Sequence, residues 1–152
     1  MIPTKPARMG LLVLLVACSS PPDRVFVPGK PFKHVVEVST AQGQAASVRV
    51  GEWLTLNARR STGPWTEVDR KSLGPDGCWV APAPPPDEAE VADNLTWSAE
   101  PQGRAEFNLD IQSDHTRRVR FSAPGRYVLS ASSATYCRPR VGSNSLTVVV
   151  TE

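Results

Sequence analysis

Val119-Arg120-Phe121-Ser122-Ala123-Pro124-Gly125-Arg126-Tyr127-Val128-Leu129 is the stretch whose reading decides the fold. Val119 and Phe121 alternate with arginines, as on a strand with one face buried. Ala123-Pro124-Gly125 then makes a tight corner, since proline fixes φ and glycine supplies a conformation closed to other residues. Beyond the corner Tyr127, Leu129 and Ala131 face one way along a second strand.

The same period extends in both directions. Toward the C-terminus, Leu146, Val148 and Val150 alternate after a loop from Thr135 to Ser143. Toward the N-terminus, Ala105, Phe107, Leu109 and Ile111 alternate through another strand, preceded by a Pro101-Gln102-Gly103 turn. Leu95 and Trp97 point inward from Leu95–Ala99, and Leu54 and Leu56 from Trp53–Ala58; Val48 and Val50 precede that strand. Phe32, His34, Val36 and Val38 share one face of a first strand. No useful window has helical periodicity. Seven to eight short antiparallel strands predict an all-β sandwich. Arg59–Asp93 interrupts it with Ser-Thr-Gly-Pro, Gly-Pro-Asp-Gly and Ala-Pro-Ala-Pro-Pro-Pro. Three consecutive prolines exclude a central strand, so 59–93 is expected to be a long Pro-rich loop insertion, of a size associated with function or disorder.

These motifs resemble bacterial immunoglobulin-like and PKD-like domains. Val50-Gly51-Glu52 leading into Leu54-Thr55-Leu56 is similar to their second strand, and Leu95-Thr96-Trp97 to their third-strand tryptophan. Val119 to Leu129, followed by Ser145-Leu146-Thr147-Val148, resembles their corner and final strand. The resemblance spans Phe32–Val150 in outline and implies an immunoglobulin/PKD-like β-sandwich. It implies no particular activity, because such scaffolds host many roles.

The N-terminus carries a second resemblance. Lys5 and Arg8 precede an apolar run from Met9 to Ala17, too short to span a bilayer as a helix and suited to a secretory signal. Leu15-Val16-Ala17-Cys18 resembles the bacterial lipobox. It implies cleavage of residues 1–17, lipidation of Cys18 and a membrane anchor, and Ser19 in place of Asp implies outer-membrane retention. Residues 18–30 are expected to be a lipidated N-terminus and flexible tether, and 31–152 the sandwich. Without the head's two cations, 15 cations face 15 acids, which gives no electrostatic case for nucleic acid.

With Cys18 lipidated, Cys78 and Cys137 remain as an even pair in an oxidising compartment. A disulfide is expected, closing a loop worth about 4 kcal/mol in the chain-entropy model; the alternatives are two buried thiols or half of a metal site. In the resembled topology, Cys78 and Cys137 fall in loops at the same end of the sandwich, so the bond would clamp those loops.

Trp65 and Trp79, within the 59–93 segment, are the candidate binding residues. Their alternative role is to cover an open end of the core. Trp53 falls out of phase with Leu54 and Leu56, leaving it either partly exposed or packed under the insertion. Asp87, Glu88, Glu90 and Asp93 read as a solvated charge run without calcium-site spacing. Arg117, Arg118 and Arg120 read as strand-face charges. His34 reads as a packed strand residue, and His115 sits beside Asp114 with no nucleophile motif. GxSxG, HExxH and phosphate-cradling glycine loops are missing. The expectation is therefore a non-enzymatic module with no cofactor and no metal, anchored in the cell envelope and facing periplasm or surface. It would bind an envelope protein or serve a structural role; the alternative is a glycan ligand held by loop tryptophans.

Overall fold

The computed structural model describes residues 22–110, 114–133 and 140–152. Its strands are β1 (Arg24–Ser39), β2 (Ala45–Arg49), β3 (Leu54–Asp69), β4 (Glu88–Glu90), β5 (Leu95–Glu100), β6 (Ala105–Phe107), β7 (Arg117–Phe121), β8 (Gly125–Ser133) and β9 (Leu146–Thr151). There is no α-helix among the described residues, only two short 3-10 turns, and so no helix able to cross a membrane.

Two sheets pack face to face. The five-stranded sheet runs β1-β3-β7-β6, with β4 also on β3; the four-stranded sheet runs β2-β9-β8-β5. Pairing is antiparallel except between β2 and β9, which are parallel. That pair departs from the expected all-antiparallel arrangement. β2 is reached through the turn after β1, where Thr40 and Gly43 exchange backbone hydrogen bonds of 2.8 and 2.9 Å.

The core follows the period-two reading. Val36 and Val38, Leu54 and Leu56, Val119 and Phe121, Tyr127 and Leu129, and Leu146, Val148 and Val150 are all buried between the sheets. The corner is closed at its centre: the Tyr127 hydroxyl donates to the Ala123 carbonyl at 2.9 Å, and the Tyr127 and Phe121 rings lie 4.5 Å apart. Gly125 begins β8 at φ 148°, a conformation that a side chain would strain.

Three expectations need correction. First, β3 continues eleven residues past Ala58, so much of the supposed 59–93 loop is paired strand. Its inward face turns polar at Arg60 and Thr62, which are only 7% and 8% exposed; hydrophobic periodicity ends there although the strand does not. Second, residues 24–30, assigned to the tether, lie in β1, and 24–28 continue its ladder against Trp65–Asp69. The register shifts between Pro28 and Lys33, opposite Gly63-Pro64, where prolines lack the N–H the ladder needs. Third, β6 ends at Phe107, and Leu109 is 88% exposed. Asn108 substitutes its side chain for the strand, with Oδ1 accepting from the Arg118 N–H at 2.8 Å. Ile111, Cys18 and Cys137 lie outside the described residues, as does the signal segment.

Candidate functional site

The outer halves of β1 and β3 form a two-stranded ribbon, Arg24–Pro28 against Trp65–Asp69. The chain returns along the free edge of β1, where Phe26 and Val80 exchange backbone hydrogen bonds of 2.9 Å. Between ribbon and return, Asp69 orders a 3-10 turn: its carboxylate accepts from the Lys71 N–H at 2.8 Å, and its carbonyl from the Ser72 hydroxyl at 2.6 Å. The Arg70 N–H donates to the Asp23 carbonyl, tying the turn to the start of β1.

This end separates the two candidate tryptophans. Trp65 is half-buried, with its ring edge-on to Phe32 at 5.1 Å and its Nε1 donating to the Thr62 hydroxyl at 3.4 Å. It packs. Trp79 is 39% exposed and lines a cleft of about 250 Å³ with Arg70, Lys71, Leu73 and the Gly74-Pro75 turn. Neither Arg70 nor Lys71 forms an ion pair among the described residues. An indole beside two cations suits a flat or anionic group on a partner. Cys78, adjacent to Trp79, is half-buried and disulfide-bonded. The half of the expected clamp at Cys137 lies outside the described residues.

The charge runs are divided by the fold. Glu88 and Glu90 flank Arg59 at 3.9 and 3.7 Å on an exposed face. Asp93 is not solvated: its side chain is 4% exposed and its carboxylate meets His115 Nδ1 at 3.1 Å. Periodicity carries no sign of that pairing, because it joins residues 22 apart. Arg117 points inward and donates to the Asn108 and Asp93 carbonyls. Arg120 points outward, pairs with Glu106 at 2.8 Å and covers the Trp53 ring at 4.8 Å, so Trp53 is partly exposed beneath a guanidinium. Among the described residues no three His, Cys, Asp or Glu side chains converge to hold a metal.

His34 faces inward on β1, opposite Thr62. Burial, then the nearby Arg60 charge, lowers its pKa below the usual imidazole value. Asp114 is fully exposed; its pKa is lowered chiefly by the Thr116 hydroxyl and N–H, which bond its carboxylate at 2.8 and 3.1 Å.

Compared with known proteins, the chain matches no family model, no curated protein and no solved structure.

Proposed function

We propose that this chain is a non-catalytic binding or structural module of the bacterial cell envelope, lipid-anchored in the outer membrane through Cys18, that presents the ribbon end to a protein partner. The observation that carries the reading is the ribbon end itself. The return segment, bridged to β1 at Val80, places an exposed Trp79 beside two cations that form no ion pair among the described residues, next to a disulfide-bonded Cys78. Rigidly displayed aromatics and arginines are the groups that dominate protein interfaces.

An immunoglobulin/PKD-like scaffold is supported by two features. The sheet orders β1-β3-β7-β6 and β9-β8-β5 correspond to the two sheets of that sandwich. The Tyr127 hydroxyl bonded to the Ala123 carbonyl reproduces its tyrosine corner. In that topology the segments carrying Cys78 and Cys137 leave the same end, so a Cys78–Cys137 bond would clamp the display.

A glycan ligand remains the second reading, and Trp79 alone favours it. Trp65 packs against Phe32 and offers no second stacking platform.

Crosslinking in native membranes, compared with the Trp79→Ala and Arg70→Gln/Lys71→Gln variants, tests the module. A partner band lost in both variants supports protein binding; unchanged bands would remove the ribbon end from consideration. Loss of binding to peptidoglycan or surface polysaccharide in Trp79→Ala, with no protein crosslink, would select the glycan reading. Cys18→Ser should release the protein from membranes, and retention would remove the anchor.

A further inference from the structure

Each sheet edge in a sandwich presents backbone groups that another strand can pair with, and stable proteins plug or guard such edges. Here two edges are plugged by amide side chains. Asn144 accepts from the Val38 N–H at 2.7 Å and donates to its carbonyl at 3.0 Å, closing β1. Gln42 treats Ser47 likewise at 3.0 and 3.4 Å, closing β2. Elsewhere along β1, the charges Lys33 and Glu37 and the prolines at 28 and 31 guard the edge. β6 is only three residues long.

β5 has none of these devices. It is six residues long, uncharged from Leu95 to Ala99, and lies at the end of its sheet. Which of its backbone groups face outward follows from β8. The Ala131 N–H donates to the Ser143 hydroxyl, and its carbonyl accepts from the Ser143 N–H. Ala131 therefore points its backbone away from its β5 partner Trp97, making a non-hydrogen-bonded pair. By alternation Leu95, Trp97 and Ala99 direct their N–H and C=O groups to the open edge. No described residue bonds those groups.

The geometry points to a second copy of this chain as the occupant of that edge, paired antiparallel through β5 about a two-fold axis at Trp97. In this register Leu95 faces Ala99 of the second copy, Trp97 faces Trp97, and each pair exchanges both backbone bonds. On the outward face Thr96 meets Ser98 of the second copy, beside the Ser98–Ser130 hydroxyl contact of 2.9 Å already present. On the inward face the two indoles extend the Trp97–Phe107 stack, whose centroids are 6.3 Å apart. The only charged side chain of the strand, Glu100, falls opposite Asn94, so the two Glu100 groups stand about 20 Å apart and beyond the screening length at physiological salt. Pro101 ends the ladder, since it has no N–H to donate. A self-complementary register without like-charge contacts is what an isologous interface requires, and it joins two four-stranded sheets into one.

Sedimentation velocity on the full chain carrying Cys18→Ser tests this pairing, with and without Thr96→Lys/Ser98→Lys. The two lysines put like charges opposite each other on an exposed face, where the monomer tolerates them. The expected result is a concentration-dependent dimer whose dissociation constant weakens at least tenfold in the double variant, with the circular dichroism spectrum unchanged. The amides of Leu95, Trp97 and Ala99 should exchange more slowly at high than at low concentration. A monomer at every concentration overturns the proposal, as does a dimer indifferent to the lysines with those amides still exchanging freely. A photocrosslinker at Ser98 in cells should give an adduct of twice the chain mass; an adduct only with another protein would assign the edge to that partner and overturn self-pairing.

Discussion

The body of the sandwich and the ribbon end are built from the same strands on different principles. In the body, β3 turns Leu54, Leu56 and Ala58 into the core, and all three are apolar. Two residues further along β3 the same face presents Arg60 and then Thr62, and prolines interrupt the ladder. The body gains its stability from buried hydrocarbon. The ribbon is held by backbone bonds, the Asp69 turn and a covalent link at Cys78, with Val25 as a fully buried residue outside the main cluster. A strand can thus leave the core that created it, provided local hydrogen bonds replace burial. What it displays is then freed from packing duty.

Substitutions can break that contrast, and the largest effect belongs to the body. Leu129 is fully buried at the centre of β8, and Leu129→Ala should cost about 2–5 kcal/mol in urea unfolding. A loss below about 1 kcal/mol would mean the cluster is looser than its burial indicates. Val25→Ala in the ribbon should cost about 1–2 kcal/mol. It should raise amide exchange in Arg24–Pro28 and Trp65–Asp69 while β8 stays protected; uniform loss of protection would show ribbon and body unfolding as one unit. Tyr127→Phe removes only the bond to Ala123 and should cost about 1 kcal/mol.

His34 marks the boundary between the two regions. Its folded pKa is lowered, so the unfolded chain takes up the proton first as pH falls. That contribution is intact above the ordinary imidazole range and is lost as pH drops below about 6.5 through the lower folded value. Stability measured from pH 7 to pH 5 should therefore decline less steeply in His34→Gln. Equal slopes in the two proteins would show that His34 is solvated. Smallest of all, Trp79→Ala should change stability by no more than about 0.5 kcal/mol, as for an exposed side chain without a packing role. A larger loss would move Trp79 into the ribbon's own packing.

The legible parts of this molecule are those where side-chain polarity and backbone geometry agree. Val119 to Leu129 could be read because alternation, corner and core burial coincide there. The far half of β3 was hidden because Arg60 and Thr62 are polar and yet face inward. The start of β1 was hidden because Pro28 and Pro31 imitate a linker. At the candidate site, residue type drew attention to Trp65 and Trp79 equally. Only the neighbours separate them: Phe32 meets one, while the other stands in a cleft with Arg70 and Lys71.

The sequence by itself determined an all-β chain, the inward apolar residues of β5, β8 and β9 and a corner at Ala123-Pro124-Gly125, because strand period and turn chemistry are local properties. The tertiary structure decided the parallel β2–β9 pair, the ribbon beyond the core, the Asp93–His115 contact and the place of β5 at the end of its sheet. Those depend on which distant segments meet, and a residue's own chemistry does not encode its neighbour 20 or 100 positions away.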